Sequence, residues 1–339
     1  MSTADPTSVP RHTRSAETDR GRHAESPTQV PVRGWRDVLA RTRREMKDDR
    51  VDLLAAGVAF YALLALVPAL VALVSIYGLV ASPADVTRQI GDMLKAAPAE
   101  ARDLVMSQLT NLTRSNSAGA SLGAVIGIVA ALWSASSGMR HLIEAVNLAY
   151  DEDETRGWLG LHALALALTI GAIVFVVAAF ALITVLPSAL ASTTLGTPAR
   201  VAFGVLRWPL LFLSLLVGLA VVYRYAPDRD EPKWSWASPG AVAAASLWLL
   251  ASLAFSVYAA NFARFNETYG SLGGVVVLML WLLLTAFAVI FGAELNAELE
   301  RQTKADTTEG APAPMGTRDA TAADTLGETA DQAETRRER

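Results

Sequence analysis

Long uncharged apolar segments alternate with shorter polar ones along most of the chain. Each apolar segment has about 20 or more residues, enough for a helix rising ~1.5 Å per residue to cross the ~30 Å hydrocarbon layer of a membrane. Arg207 is the one charged residue inside them. The six segments cover residues 53–80, 119–138, 159–186, 201–223, 237–260 and 271–293.

These segments predict an all-α fold, a polytopic transmembrane bundle of six spanning helices with additional amphipathic interfacial helices. Lipid cannot satisfy backbone N–H and C=O groups, and the segments lack the period-two alternation of a barrel strand, so helices are expected. The outer connection, residues 82–118, carries two apolar helical faces separated at Pro98. We expect this pair to pack on the bundle, to lie on the membrane surface or to contact a partner. Residues 136–150 predict an amphipathic continuation of the second span.

The composition changes at both ends of the chain. Residues 1–32 are rich in Ser, Thr, Pro and Arg, and residues 303–339 in Thr, Ala, Asp and Glu. Neither end has an apolar periodicity that could offset the entropy lost on ordering, so we expect two disordered tails around a membrane domain at 33–302. The first apolar segment is too long and begins too late for a cleaved signal peptide, which predicts that it stays as an anchor.

Basic residues are distributed unevenly between the two sides of the predicted bundle. The side with both termini carries fourteen Lys and Arg residues between residues 33 and 304, and the opposite side carries six. Because basic loops are retained in the cytoplasm during insertion, we expect both termini there. The net charge of −4 sums an acidic C-terminal tail and a basic stretch before the first span, so the total does not indicate a partner. The chain has no Cys, which excludes disulfides and thiolate chemistry.

Three sequence blocks resemble a known family. They are AAGVAFYALLALVPALVALVSIYGL at 55–79, LWSASSGMRHLIEAVNLAY at 132–150 with Arg156 shortly after, and YGSLGGVVVLMLWLLLTAFAVIFGAELNAELER at 269–301. Together they are similar to the signature blocks of the YihY/BrkB family of bacterial inner-membrane proteins. The resemblance implies a polytopic helical protein of the bacterial cytoplasmic membrane. The family's earlier label, ribonuclease BN, is regarded as a misassignment, and transport is proposed for members without an agreed substrate.

Pro68 and Tyr61 are candidates for a transport site in the first span. Proline removes a backbone hydrogen bond and clashes with the preceding turn, so we expect a kink or break at Pro68. Many transporters expose backbone groups to a substrate at such a break. Tyr61 lies two turns earlier and could add a hydroxyl. The alternatives are an ordinary structural kink and an interfacial or packing tyrosine.

A second group of candidates is polar and lies towards the side of the termini. Glu294 ends the sixth span and predicts a proton or cation site facing the bundle, paired with Arg140. Arg140 could instead pair with Glu144 one turn later. The alternative interpretation is a polar cluster at a helix end. The remaining members of this group are Asn147, Arg156 and Asn296.

Tyr269 and Gly270 open the sixth span. Small residues allow neighbouring helices to approach closely, and a glycine-rich phosphate loop would need a preceding strand. We therefore expect tight helix packing at these glycines. The other members of the set are Gly123, Gly127, Gly273 and Gly274.

These patterns favour a membrane protein without enzymatic activity. The chain has four His, no HExxH motif and no carboxylate cluster with metal-ligand spacing, so neither a cofactor nor nucleic-acid cleavage is expected. We expect transport of a small molecule, ion or lipid across the inner membrane, with an envelope-assembly or scaffold protein as the alternative. The expected partners are membrane lipids and a second copy or an envelope protein, and no nucleic acid.

Overall fold

The computed structural model describes residue 17 and residues 19–77, 118–185, 197–262 and 271–332. Within these ranges eight α-helices account for most residues, and β structure is limited to one isolated bridge between Pro232 and Thr308. The helices are α1 (Val32–Asp48), α2 (Val51–Tyr77), α3 (Ala118–Ala149), α4 (Trp158–Phe180), α5 (Thr197–Tyr225), α6 (Trp234–Phe262), α7 (Ser271–Glu300) and α8 (Thr321–Asp324).

Four of the described helical segments are long and apolar enough to cross a membrane. They are Trp158–Ile183, Val201–Tyr225, Trp234–Tyr258 and Gly274–Glu300. A shorter apolar segment, Val51–Leu66, belongs to α2, and α3 begins in the predicted second span. The prediction of an all-α membrane helix bundle is confirmed, and the number of six crossings stays a prediction.

The outward faces of these helices are apolar. No more than 22% of any of the four spans is buried inside the protein, and α5 exposes large side chains such as Val205, Trp208 and Leu213. Such faces are costly in water and suit a lipid environment. The interior is built mainly from small residues. Ala55, Ala145 and Ala293 are almost fully buried, which lets the helix backbones approach closely.

A close helix contact joins α6 and α7 at two glycines. A Cβ atom on Gly240 would lie 2.1 Å from the Gly292 carbonyl oxygen, and one on Gly292 would lie 2.7 Å from the Gly240 carbonyl oxygen. Only glycine permits this crossing. The tight packing expected at Gly127 is wrong as far as the described residues go, because a Cβ there would meet none of their atoms within 4 Å.

The described parts of both tails pack together at the end of the bundle that carries α1, which we call the tail side. The Arg22 guanidinium donates to the Gly327 carbonyl at 2.6 Å, and the Lys304 amide donates to the Arg22 carbonyl at 2.8 Å. Arg318 is buried and donates to the Ala323 carbonyl at 2.7 Å.

The disorder expected for both tails therefore does not hold for residues 19–32 and 303–332. Hydrogen bonds from side chains to the backbone, together with burial of alanines such as Ala322, offset the ordering entropy in place of a large apolar core. The limits of the three-part division stay a prediction. The outer connection, residues 82–118, falls almost entirely outside the described residues.

The amphipathic element predicted at 136–150 is present as the last four turns of α3. Ile143, Val146 and Ala149 are buried in the main core, and Met139 and Leu142 pack against it. A second amphipathic helix, α1, buries a face that contains Val38 and Thr42 together with the charged residues Asp37 and Arg41. These two helices and the tails surround the polar end of α7.

Candidate functional site on the tail side of the bundle

The carboxyl group of Glu294 is buried on the tail side of α7. The residue is 1% exposed, and its Oε1 atom has no hydrogen-bond partner among the described residues. Asp49, at the end of α1, is the charged group that acts on it most strongly. Buried polar atoms are nearly always paired, so an unpaired carboxyl oxygen in this position is a candidate for binding a proton or a cation.

Several other carboxyl groups surround Glu294. Burial raises the pKa of Asp49 above its ordinary value, although interaction with the Glu294 carboxyl lowers it. Burial also raises the pKa of Glu45, and the charge of Glu298 raises it further. Because neighbouring carboxylates disfavour each other's ionisation, this region holds protons more readily than isolated carboxyl groups do.

Tyr150 adds an unpaired hydroxyl to the same region. Its side chain is fully buried, its hydroxyl has no hydrogen-bond partner among the described residues, and burial raises its pKa. The Arg229 guanidinium lies 5.2 Å from the centre of its ring. Tyr150 and Arg229 were missed by the sequence reasoning. The available signal was the position of Tyr150 at the end of the apolar face of α3.

Asn296 lies two residues after Glu294 on α7, and both polar atoms of its side chain have a partner on α6. Its Oδ1 accepts from the Gly240 amide at 2.7 Å, and its Nδ2 donates to the Ala237 carbonyl at 3.0 Å. The amide therefore joins the start of α6 to the end of α7, next to the glycine crossing. These two bonds hold the two helices together.

The pairings expected for Arg140 were wrong. Arg140 does not pair with Glu144 or Glu294; its Nη1 donates to His162 Nε2 at 3.0 Å, across the α3–α4 contact. Glu144 is exposed and lies 3.1 Å from His141 Nδ1 instead. The physical reason is that packing turns the Arg140 side chain towards α4, so a partner on another helix replaces the neighbour on its own helix.

Asn147 and Arg156 connect two tail-side loops. Asn147 donates to Glu154 at 2.9 Å and accepts from the Asp228 amide at 2.8 Å. Arg156 donates to Glu154 at 2.8 Å and to the Ala226 carbonyl at 2.7 Å, and its Nε lies 3.4 Å from Asp228. These contacts fix the loop after α3 against the loop after α5. Both residues therefore position structure and do not face Glu294.

Tyr61 and Pro68 lie on α2, away from the carboxyl region. The Tyr61 ring stacks on His141 with 3.5 Å between ring centres. Of the kink or break expected at Pro68, the break is wrong, because α2 runs without interruption from Val51 to Tyr77, and the kink stays a prediction. Tyr269 and Gly270 lie outside the described residues, so their expected roles stay predictions.

A cavity of about 360 Å³ lies between α2, α3, α4 and α7. The cavity exists because small residues line it, among them Ala65, Ala135 and Gly138. Pro68 lies between two residues of α2 that line it. The Thr285 hydroxyl in its wall is occupied, since it donates to the Trp281 carbonyl at 2.9 Å and accepts from Trp248 Nε1 at 3.0 Å. The cavity therefore presents an apolar surface and is large enough for a small ligand.

The sequence reasoning did not identify this cavity. The available signal was the recurrence of small residues at helical spacing, Ala62, Ala65 and Ala69 on α2 with Ala135 and Gly138 on α3. Val289 of α7 also lines it, and Glu294 follows five residues later. At ~1.5 Å per residue these positions are about 7.5 Å apart along the helix. Glu294 therefore lies on a helix that forms one wall of the cavity. Five residues turn a helix by about 140° beyond one full turn, so its side chain leaves another face of α7 and is not among the lining residues.

Comparison with known proteins identifies relatives across most of the chain. A family model described as "Virulence factor BrkB" matches residues 42–316. The chain is 34% identical over 255 residues to YfkH of Bacillus subtilis (strain 168), a protein named as ribonuclease-like, with 74% of this chain and 90% of YfkH covered.

Other relatives are named only as membrane proteins. A UPF0761 membrane protein of Vibrio vulnificus (strain YJ016) is 29% identical over 264 residues, covering 75% of this chain and 79% of that protein. One of Tolumonas auensis is 35% identical over 88 residues, covering 26% of this chain and 29% of that protein. No solved structure matches. The family model covers well over half of the chain and all of α2 to α7. Together with its apolar helices, this shows that the chain belongs to the BrkB (YihY/BrkB) family of membrane proteins.

Proposed function

We propose that this protein transports a small molecule, an ion or a lipid across the bacterial cytoplasmic membrane, with both termini in the cytoplasm. The observation that carries the proposal is the buried carboxyl of Glu294, whose Oε1 has no hydrogen-bond partner among the described residues, on a helix that also lines an apolar cavity. Ionisable groups inside a membrane bundle are costly and commonly mark ion and proton pathways. The surplus of basic residues on the tail side supports the orientation.

In this proposal Glu294 binds and releases a proton or a cation, and the cavity accommodates an apolar part of the substrate. The neighbouring Asp49 and the Tyr150 hydroxyl supply alternative partners when the occupancy of Glu294 changes. Asn296 and the crossing of Gly240 with Gly292 keep α6 and α7 fixed while this happens. Binding and release at Glu294 therefore need rearrangement at the ends of α1 and α3, which Asp49 and Tyr150 follow directly.

The test is proton flux in liposomes that contain the purified protein. An imposed pH gradient is followed with an encapsulated pH-sensitive dye, with the parent protein, Glu294→Gln and the control Glu144→Gln at equal incorporation. We expect the parent to exceed protein-free vesicles and Glu294→Gln to lose about tenfold or more of the rate, a change of ~1.4 kcal/mol or more in the barrier. Glu144→Gln should keep the parent rate because Glu144 is exposed and lies away from the cavity lining.

A parent rate equal to that of protein-free vesicles, for protons and for a panel of ions and labelled lipids, would contradict the proposal. It would favour the alternative of an envelope scaffold, in which the buried polar groups only hold helices together. Equal flux rates for the parent and Glu294→Gln, both above protein-free vesicles, would show that the protein transports protons without using Glu294.

A further inference from the structure

A cationic and aromatic cluster lies where α3 meets the start of α4. Trp158 and His162 are on α4, and their ring centres are 4.2 Å apart. Trp133 of α3 stacks on His162 with 5.0 Å between ring centres. Arg140 reaches the same histidine at 3.0 Å. The cluster is separate from the Glu294 region, and none of its contacts takes part in the proposed coupling.

The hydrogen bonds of His162 define its role. Its Nδ1 lies 2.7 Å from the Trp158 carbonyl, which can only accept, so Nδ1 carries the proton. Its Nε2 lies 3.0 Å from Arg140 Nη1, which can only donate, so Nε2 is unprotonated. A neutral imidazole therefore holds the guanidinium in position through one N–H group. It does not neutralise the charge of Arg140.

Among the described residues, no carboxylate forms an ion pair with Arg140 within 4.0 Å. Its Nε is also buried without a hydrogen-bond partner. Arg156, Arg229 and Arg301, on the same side of the bundle, each have a carboxylate partner. A fixed guanidinium without a carboxylate partner is suited to bind an anion, and phosphate oxygens match the geometry of its terminal N–H groups.

The surroundings of Arg140 identify the source of the anion. Trp158 and Trp133 are 65% and 44% exposed, and Trp158 is the first residue of a candidate span. Exposed tryptophans at the end of a span favour the headgroup level of a bilayer. At this depth the abundant anion is the phosphate of a phospholipid.

We propose that Arg140 binds the phosphate diester of a phospholipid in the tail-side leaflet. Trp133 and Trp158 pack against the glycerol and the first acyl carbons on either side of the guanidinium. His162 is a positioning residue that directs Arg140 towards the lipid. This site is independent of whether the protein transports anything, since a lipid bound there supports the α3–α4 contact in either case.

The test is native mass spectrometry of the full chain in detergent, titrated with dioleoyl phosphatidylglycerol. We expect the parent to retain one more phosphatidylglycerol than Arg140→Gln, whose apparent affinity falls about tenfold. Arg33→Gln is the matched control, because Arg33 is an exposed tail-side arginine with a carboxylate partner. It should bind as the parent does. His162→Gln should weaken binding while leaving the charge of Arg140 in place.

Two further arms keep the test decisive. Inorganic phosphate at the lipid's concentration should not displace the lipid, and displacement would show a free-anion site and overturn the lipid assignment. Arg140→Lys keeps the charge and loses the fork, so it should bind between the parent and Arg140→Gln even if the Gln variant folds poorly. Equal lipid retention by the parent, Arg140→Lys and Arg140→Gln would overturn the proposal.

Discussion

Arg229 and Glu300 form an ion pair in which both side chains are completely buried. The guanidinium donates twice to the carboxylate, at 2.8 Å and 3.2 Å. Glu300 Oε2 also accepts from the Thr307 hydroxyl at 2.6 Å. The pair joins the loop after α5 to the end of α7 and to the C-terminal tail. The C-terminal tail thus binds, through the Thr307 hydroxyl, to an ion pair that is buried from water.

Removing one member of this pair should destabilise the protein strongly. Arg229→Met leaves the Glu300 charge buried without a partner, and we expect the free energy of unfolding to fall by about 3–5 kcal/mol. The double variant Arg229→Met/Glu300→Leu removes both charges and should regain most of that loss. Thermal unfolding in detergent measures both. A double variant as unstable as Arg229→Met would show that loss of the ion pair, and not the isolated charge of Glu300, causes the destabilisation.

The glycine crossing of α6 and α7 should not tolerate a methyl group. A Cβ on Gly292 would lie 2.3 Å from the Tyr223 hydroxyl and 2.7 Å from the Gly240 carbonyl. We expect Gly292→Ala to cost about 1–3 kcal/mol of stability, as overpacking does. Gly171→Ala is the control, since a Cβ there meets no atom of the described residues within 4 Å and alanine favours helix by about 1 kcal/mol over glycine. Similar melting temperatures for the two variants would show that α6 and α7 do not approach as closely as described at Gly292.

Acid should weaken the junction of the two tail-side loops. Burial alone would raise the pKa of Asp228, but hydrogen bonds from Thr155 and the charge of Arg156 outweigh it and lower the pKa below its ordinary value of 3.8. A lowered folded-state pKa gives a stabilisation that is present above the unfolded value and is lost as the pH falls through the folded one. The melting temperature should therefore decrease below about pH 4.

Asp228→Asn separates this effect from general acid unfolding. The variant should melt lower than the parent at pH 6, because the bonds to Arg156 and Thr155 weaken. Its further loss between pH 6 and pH 3 should be smaller than that of the parent. A parent and variant with parallel pH profiles would show that Asp228 does not contribute to the junction.

The helices themselves could be predicted because the length of an apolar run is a local property. Residues 159–186 and 271–293 were expected to be helical, and α4 and α7 contain most of them. Helix α7 continues to Glu300 beyond the predicted apolar run. The added turns are stabilised by distant partners, since Glu298 pairs with Arg41 and Glu300 with Arg229.

The contacts of the polar residues could not be predicted in the same way. Arg140 has possible partners on its own helix, and only the packing of α3 on α4 selects His162. The packing of the tails depends on pairs such as Arg22 with Gly327, which are separated by most of the chain and leave no periodic pattern. Glu294 was identified from its type and position, and its unpaired oxygen became visible only in three dimensions.

The proposed transport requires that the cavity lined by α7, the helix that carries Glu294, belongs to a path across the membrane. The chain has no cysteine, so a single cysteine can report access of water to the cavity. Three variants in sealed liposomes are treated with a membrane-impermeant methanethiosulfonate: Ala286→Cys in the cavity wall, Ala254→Cys on an exposed face of α6, and Asp153→Cys in a tail-side loop. We predict that Ala286→Cys reacts well above Ala254→Cys, with Asp153→Cys as the fully reactive reference. Reaction of Ala286→Cys no faster than Ala254→Cys, from either side of the membrane, would contradict the account.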